Sequence, residues 1–209
     1  MLGHLVRDAG LTIDGVEYNP AWADLARPHY RNVWSGAIED APLPDREYRL
    51  VVCGDVLEHT VDPVSVLKRL MRAATEDATF IVSLPNVAHF GVRLMLLFGY
   101  FPKMERGPLD KTHLHFFTKD TARQMVESAG LVVKRTSCTG VPLDEVWKDG
   151  QGGVAYKVMT KLQHAALAVA PRLFGFQWIM VCQPAAKVAR TAEAAPTPTR
   201  ELAGATGSP

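Results

Sequence analysis

The amino-acid sequence predicts an α/β fold built on a doubly wound, mainly parallel β-sheet. Three observations predict it: strand-like and helix-like segments alternate, the middle strand candidates are apolar at successive positions, and several helices begin at recognisable capping residues. Strands with helices on both faces carry continuous apolar runs. Alternation of strands and helices is typical of β-α-β units, which produce parallel sheets.

The first predicted elements are two short strands with a helix between them. The strands cover residues 11–17 and 32–38. Asn19 is a good N-cap, and Pro20 suits the first helical position because its missing N–H would be unpaired there anyway. Four residues of this helix share one face: Trp22, Leu25, Ala26 and His29.

The remaining elements continue the alternation. Further strands are predicted at residues 50–53, 79–84, 131–136 and 176–182. One helix opens at Asp62-Pro63 and directs Val64, Leu67, Leu70 and Met71 inward. A second follows the capping Thr118, buries Ala122, Met125, Val126 and Ala129, and stops at Gly130. A third covers residues 155–169.

Composition limits the class of protein. The 209 residues include 23 basic and 22 acidic side chains, so no basic face for nucleic acid is expected. Three widely spaced cysteines form no Cys-x-x-Cys pair, and the longest apolar run, residues 94–101, is far shorter than a membrane span of about 20 residues. A cytoplasmic protein with one folded domain, residues 1–184, is therefore expected. Residues 185–209, rich in Ala, Thr and Pro, predict a disordered tail.

In doubly wound sheets, ligands bind beyond the carboxyl ends of the strands. Glu17 ends a predicted strand, where a carboxylate can accept two hydrogen bonds from ribose hydroxyls; a solvated loop residue is an equally good interpretation. Asp55, Glu58 and His59 have the i, i+3, i+4 spacing of one helical face. Such a group suits a divalent cation or acid–base chemistry, but a polar turn capped by Asp55 is slightly favoured on spacing alone.

Two further segments are candidates for covering a substrate. His113 and His115 lie in LDKTHLHFFT, a stretch without strong helix or strand character that could serve as a substrate lid, although most such histidines are merely hydrogen-bonded. Residues 87–101 are too aliphatic for a surface loop. They are either a buried helix or an apolar cover over a substrate pocket.

Taken together, GVEYNP, SGAIEDAPLPD, YRLVVCGDVLEHTVDPVSVLKRL, FIVSLPNVAHF and RGPLDKTHLHFFTKDTARQMVESAGL resemble class I S-adenosylmethionine-dependent methyltransferases. The group that includes the ubiquinone-biosynthesis O-methyltransferases is the nearest. The resemblance implies that Glu17 binds the cofactor ribose with Tyr18 beside it, and that Ile38 lies against the adenine. Gly54 and Asp55 would line the methionine end.

The resemblance also implies a metal site. Asp55-x-x-Glu58-His59 is similar to the Glu-x-x-Glu-His by which the ubiquinone-pathway enzymes and small-RNA 2′-O-methyltransferases hold a divalent metal such as Mg²⁺. His113 matches the further histidine of the RNA enzymes. Asp55, Glu58, His59 and His113 are therefore the expected metal ligands. His59 and His113 are the expected catalytic residues, which would deprotonate a hydroxyl acceptor.

The sequence departs from this family at its start. The first strand and glycine-rich loop, which cradle the cofactor, have no counterpart before residue 10 or elsewhere. The leading hypothesis is a methyltransferase acting on a small-molecule acceptor, with an apolar molecule and O-methylation favoured and with the first strand missing because the sequence starts late. The alternative is a non-catalytic interaction module of the same fold that has lost cofactor binding. A nicotinamide-dependent dehydrogenase ranks well below both.

Overall fold

The structure is a computed structural model that describes residues 10–146 and 153–185. Its strands are β1 (Asp14–Glu17), β2 (Asn32–Ser35), β3 (Tyr48–Gly54), β4 (Ala74–Pro85), β5 (Leu131–Thr139) and β6 (Gln177–Pro184). Its helices are α1 (Pro20–Ala26), α2 (Pro63–Ala73), α3 (Phe90–Leu97), α4 (Lys119–Ser128), α5 (Leu143–Val146), α6 (Val154–Val169) and α7 (Pro171–Phe174). The expected helix end before Gly10 and nearly all of the expected tail lie outside the described residues.

The strands form two sheets. β1 and β2 make a parallel pair in which Asp14 lies opposite Asn32. The other four strands are ordered β3-β4-β6-β5, and β4 is parallel to β3 but antiparallel to β6. Because β5 is also antiparallel to β6, the strands β3, β4 and β5 run one way and β6 alone is reversed. The α/β class and its mainly parallel sheet are confirmed.

The core lies between the four-stranded sheet and helices α2 and α4, with Leu67, Phe80 and Val126 fully buried. The predicted buried face of α4 is confirmed: Ala122, Met125, Val126 and Ala129 are all buried. Gly130 then ends the helix with a φ of +96°, a conformation that glycine adopts without strain.

The predicted inward face of α2 is only partly right. Leu67 is fully buried, whereas Val64, Leu70 and Met71 pack against the edge of the core. Val66, which was not predicted, is also fully buried. The apolar residues occupy one broad side of this helix, wider than the stripe that the core buries completely, so their spacing alone could not select the fully buried positions.

Helix α3 lies within the apolar segment 87–101, for which a buried helix was one interpretation. That interpretation is wrong, because Val92 is the single buried residue of α3 while Phe90, Leu94, Leu96 and Leu97 are exposed. No helix in the described part of the chain is long and apolar enough to cross a membrane.

No strand of the described residues pairs with the facing edges of β1 and β3. On β3, Leu50 and Val52 are 49% and 41% exposed, although this strand was predicted to be buried on both faces. Side chains link the two sheets instead. The Tyr48 hydroxyl donates to Asp14 Oδ2 (2.7 Å), and Arg31 Nη2 donates to Oε1 of Glu47, directly before β3 (2.5 Å).

Candidate active site

The candidate site begins where β3 ends. Asp55 follows Gly54 with a φ of +52°, a left-handed conformation that Asp tolerates better than most residues. A short 3₁₀ turn, Leu57–His59, comes next, and the fully buried Leu57 fixes it to the core. Glu58 is thereby carried inward with only 1% of its side chain exposed.

The loop after α3 docks on this turn. The backbone carbonyl of Glu58 accepts hydrogen bonds from Leu114 N (2.8 Å) and His115 N (3.1 Å). This docking places His113 Nε2 3.9 Å from Glu58 Oε1, and His59 Nε2 lies at the same distance. The two imidazole rings meet edge to face with centroids 4.7 Å apart. Glu58, His59 and His113 thus form one cluster, the Glu58–His59–His113 cluster.

Glu58 is the unusual member of the cluster, because neither oxygen of its buried carboxylate has a hydrogen-bond partner among the residues that the structure describes. Burial, with the negative charges of Asp55 and Asp110, raises the pKa of Glu58 to about 8. A buried carboxylate without a partner is costly unless it takes up a proton or a cation. Glu58 is therefore suited to proton transfer near neutral pH or to binding a cation.

The two histidines of the cluster differ in their surroundings. Burial, and then the neighbouring His59, lower the pKa of His113. His59 Nδ1 lies 3.3 Å from the carbonyl oxygen of Thr112, which can only accept, so Nδ1 carries the proton. The other ring nitrogen of His59, Nε2, faces Glu58.

Asp110 fixes the position of Thr112, which in turn contacts His59. Its carboxylate accepts from the Thr112 hydroxyl (2.6 Å) and the Thr112 N–H (2.8 Å). Because that hydroxyl gives its proton to Asp110, it can only accept from His59 Nδ1, 3.1 Å away. Asp110 and Thr112 were not singled out from the sequence, although both lie within the quoted LDKTHLHFFT segment.

The structure separates Asp55 from the other three expected metal ligands. Its Oδ1 accepts from the Ser83 hydroxyl (3.1 Å) and from the Gln177 side-chain amide. The cluster found among the described residues contains Glu58, His59 and His113 without Asp55. The sequence did not predict Ser83 and Gln177, because ligand-binding residues are expected after the strands, whereas Ser83 lies within β4 and Gln177 begins the reversed β6.

The expected cofactor residues belong to both sheets, with Glu17 at the end of β1 and Gly54 at the end of β3. Glu17 is half-buried at the end of β1, where its Oε1 accepts from Asn19 N (2.8 Å). Tyr18 is 79% exposed, and Ile38 packs against the core of the four-stranded sheet. A Cβ atom added at Gly54 would meet no atom of the described residues within 4 Å. This edge therefore leaves room for a ligand to approach the backbone.

A cavity of about 530 Å³ lies elsewhere, lined among others by Arg46, Lys68 and Thr75. It sits at the amino end of β4, the edge opposite to the cluster. Its position does not coincide with any of the residues expected to bind the cofactor.

The cluster fits a divalent cation in its chemistry. One carboxylate oxygen and two imidazole nitrogens all lie within 4.8 Å of one another. Metal–ligand bonds of about 2.0–2.2 Å require somewhat closer ligand atoms, so the side chains would draw together around an ion. The unpartnered charge of Glu58 is what an ion would neutralise.

Apolar side chains border the cluster on the side of the loop. The Phe116 ring lies 6.2 Å from that of His113 and 5.4 Å from that of Phe101. Phe101 and Phe116 are both about half exposed, so they can contact another molecule.

The mainly parallel sheet, with its acidic residue after β1 and its polar cluster after β3, defines a class I S-adenosylmethionine-dependent methyltransferase fold. The chain belongs to the methyltransferase domain family, whose family model matches residues 1–136. Membership implies S-adenosylmethionine as the methyl donor.

Solved structures support the fold. One is a SAM-dependent methyltransferase from Archaeoglobus fulgidus, with 17% identity, a TM-score of 0.58, and 86% of this chain and 79% of that chain covered. Another is a SAM-dependent methyltransferase from Thermotoga maritima, with 18% identity, a TM-score of 0.57, and coverage of 84% and 74%. No curated protein matches this chain by sequence.

Proposed function

We propose that the protein transfers the methyl group of S-adenosylmethionine to a hydroxyl of an apolar small molecule. One observation carries the proposal: the buried Glu58, whose carboxylate has no hydrogen-bond partner in the described part of the chain, lies 3.9 Å from two imidazole nitrogens at the carboxyl end of β3. An O-methyltransferase must remove the hydroxyl proton as the methyl group arrives. A methyltransferase that acted only by alignment would not need this buried group.

The residues would divide the work as follows. Glu17 would hold the ribose hydroxyls of the donor with Tyr18 beside it and Ile38 against the adenine, while Gly54 and Asp55 border the methionine end. His59 Nε2 or His113 Nε2 would accept the hydroxyl proton, and burial lowers the pKa of His113, which favours its neutral form. Alignment of the acceptor oxygen in line with the methyl group of the donor would supply much of the remaining rate enhancement.

With a divalent ion such as Mg²⁺ in the cluster, Glu58, His59 and His113 would instead be its ligands, and the ion rather than an imidazole nitrogen would activate the hydroxyl. When bound, the ion would polarise the acceptor hydroxyl and make it more acidic. Asp55 is not proposed as a ligand to the same ion, because its carboxylate already accepts from Ser83 and Gln177.

The apolar character of the acceptor follows from its surroundings. Phe116 and Phe101 stand beside His113, and the exposed apolar residues of α3 lie a few residues earlier in the chain. An apolar molecule would cover these side chains and exclude water from the cluster. We place the enzyme in the cytoplasm, in keeping with three cysteines that are all free thiols.

The test is transfer of labelled methyl from S-adenosylmethionine to a panel of apolar phenols, with and without Mg²⁺. Glu58→Ala and His113→Ala should each abolish any magnesium dependence. His115→Ala is the matched control, because that ring binds the Val61 carbonyl rather than the cluster. Unchanged dependence in both cluster variants would remove the metal from the proposal.

A second candidate is a non-catalytic interaction module of the same fold that has lost cofactor binding. The unpaired edges of β1 and β3 within the described residues favour it, because edges are protected in most folds. Calorimetric titration with S-adenosylmethionine distinguishes the two. Micromolar binding supports the enzyme, whereas absence of binding supports the module.

A further inference from the structure

Helix α6 (Val154–Val169) has an unusual surface. None of its 16 residues is buried. Its sequence, VAYKVMTKLQHAALAV, contains no acidic residue and ten aliphatic or methionine side chains. Such a helix needs a reason to be exposed, because a helix on the surface of a globular protein normally turns its apolar side inward.

One face of α6 contacts the protein. Tyr156, Thr160, Gln163 and Leu167 are half-buried at the spacing of a single helical stripe. Gln163 Nε2 donates to the Val141 carbonyl (3.1 Å), which fixes the helix near the end of β5. The orientation of the helix is thereby set by its more polar side.

The opposite face is apolar and exposed. Val154, Val158, Leu162, Ala165 and Val169 follow one another at i, i+4, i+8, i+11 and i+15, which places them on one side of the helix. All five are exposed, and Leu162 is 59% exposed. We call these five residues the apolar stripe.

A basic flank borders the apolar stripe. Lys157, Lys161 and His164 occupy the neighbouring positions of the helix, and all three are exposed. Basic residues beside an apolar face are typical of helices that lie in the plane of a membrane interface. A second copy of this helix is a poorer match, because it would bring no acidic residue to either lysine.

We infer that α6 docks the protein on an anionic lipid bilayer, with the apolar stripe at the boundary of the acyl chains and Lys157 and Lys161 beside the lipid phosphates. The inference stands apart from the proposed reaction, because α6 contributes no residue to the cluster. It identifies a surface on which an enzyme with an apolar acceptor could meet molecules dissolved in a membrane.

The test is co-sedimentation of the full chain with vesicles of phosphatidylcholine alone and of phosphatidylcholine with 30% phosphatidylserine (a composition of about that order gives a strongly negative surface). We expect binding to the anionic vesicles, weak binding to the neutral ones, and release by salt. Equal partitioning into both kinds of vesicle, or into neither, would overturn the inference.

Variants separate the two parts of the surface. Leu162→Glu should abolish binding, whereas Leu25→Glu, an equally large change at a leucine that is 73% exposed on α1, should leave it intact. Lys157→Ala and Lys161→Ala should each weaken binding about fivefold, since a lysine near an anionic surface contributes on the order of 1 kcal/mol. Lys134→Ala, at an exposed lysine of β5, is the control for charge.

Sedimentation equilibrium of the same variants tests the competing occupant. All of these positions are exposed, so the variants should fold, which circular dichroism can verify. A dimer of the wild-type chain that Leu162→Glu converts to monomer would assign the apolar stripe to a second copy and overturn the lipid interface.

Discussion

The ends of β3 and β1 differ in how completely packing and hydrogen bonds fix their side chains. After β3, Glu58 and His113 are buried, their neighbours are fixed by hydrogen bonds, and the docked loop closes the cluster. After β1, Tyr18 is exposed and Glu17 is engaged by the backbone N–H of Asn19. The proposed proton-transfer half is thus preorganised by packing, whereas the proposed donor-binding half remains open.

This difference has an energetic consequence. A preorganised cluster needs little reorganisation free energy during the reaction. It destabilises the folded state, however, when it holds an unpaired charge. The open donor-binding half lowers the stability of the fold little. Part of the binding free energy must instead be spent on ordering its side chains when the ligand binds. Changes at Glu58 should therefore affect stability and chemistry, whereas changes at Glu17 should affect ligand binding.

The largest expected effect is the dependence of stability on pH that Glu58 imposes. Its pKa is raised from 4.5 to about 8, so the folded state keeps a proton that the unfolded state has lost. The free energy of unfolding should therefore fall as pH rises between these values, by up to about 1.4 kcal/mol per pH unit. Denaturant titrations with a chelator present would measure it.

The range from pH 6.5 to 8 gives the cleanest test. The lowered pKa values of His113 and His89 affect stability only below 6.5, where they act in the opposite direction. Glu58→Gln should flatten the curve in this range, while Glu39→Gln, at an exposed carboxylate, should leave it as in the wild type. Parallel curves for wild type and Glu58→Gln would show that ionisation of Glu58 does not destabilise the folded state.

The second effect is on the affinity for S-adenosylmethionine of the proposed donor-binding half at the end of β1. Glu17→Ala should weaken S-adenosylmethionine binding by about 10- to 100-fold, because hydrogen bonds to a charged group contribute about 1.5–3 kcal/mol. Glu58→Gln should leave that affinity unchanged. Isothermal titration calorimetry would compare both with Glu39→Ala; equal affinity of Glu17→Ala and the wild type would remove Glu17 from the proposed donor site.

The sequence predicted these two ends unequally, and the reason is physical. The positions of Glu17 and Glu58 follow from where the apolar strands stop, so local patterns predicted them. The separation of Asp55 from the cluster depends on its left-handed backbone and on Gln177, 122 residues later. Neither a single φ value nor the reversal of β6 can be inferred from apolar spacing, just as the spacing could not show that α3 is exposed.

A third, smaller effect concerns the support of His59. Thr112→Val removes the hydroxyl that accepts from His59 Nδ1 and leaves the weaker carbonyl contact. Loss of such an outer contact typically costs 10- to 100-fold in activity or metal affinity. Thr112→Ser should restore activity and the pH profile. If valine and serine behave alike in both readouts, His59 does not need this contact.

The smallest effect tests whether the two halves are one folding unit. Tyr48→Phe removes the hydrogen bond from β3 to Asp14, whose carboxylate retains Arg31 and Asn32. We expect a loss of about 1 kcal/mol in the free energy of unfolding, against none for Tyr100→Phe at an exposed ring. The hydrogen bond with Arg31 holds the pKa of Asp14 below 3.8, so its contribution persists above that pH and is lost on acidification. A single transition that shifts as a whole would mean that the sheets unfold together, whereas two separate transitions would mean that the donor-binding half is only loosely coupled to the cluster.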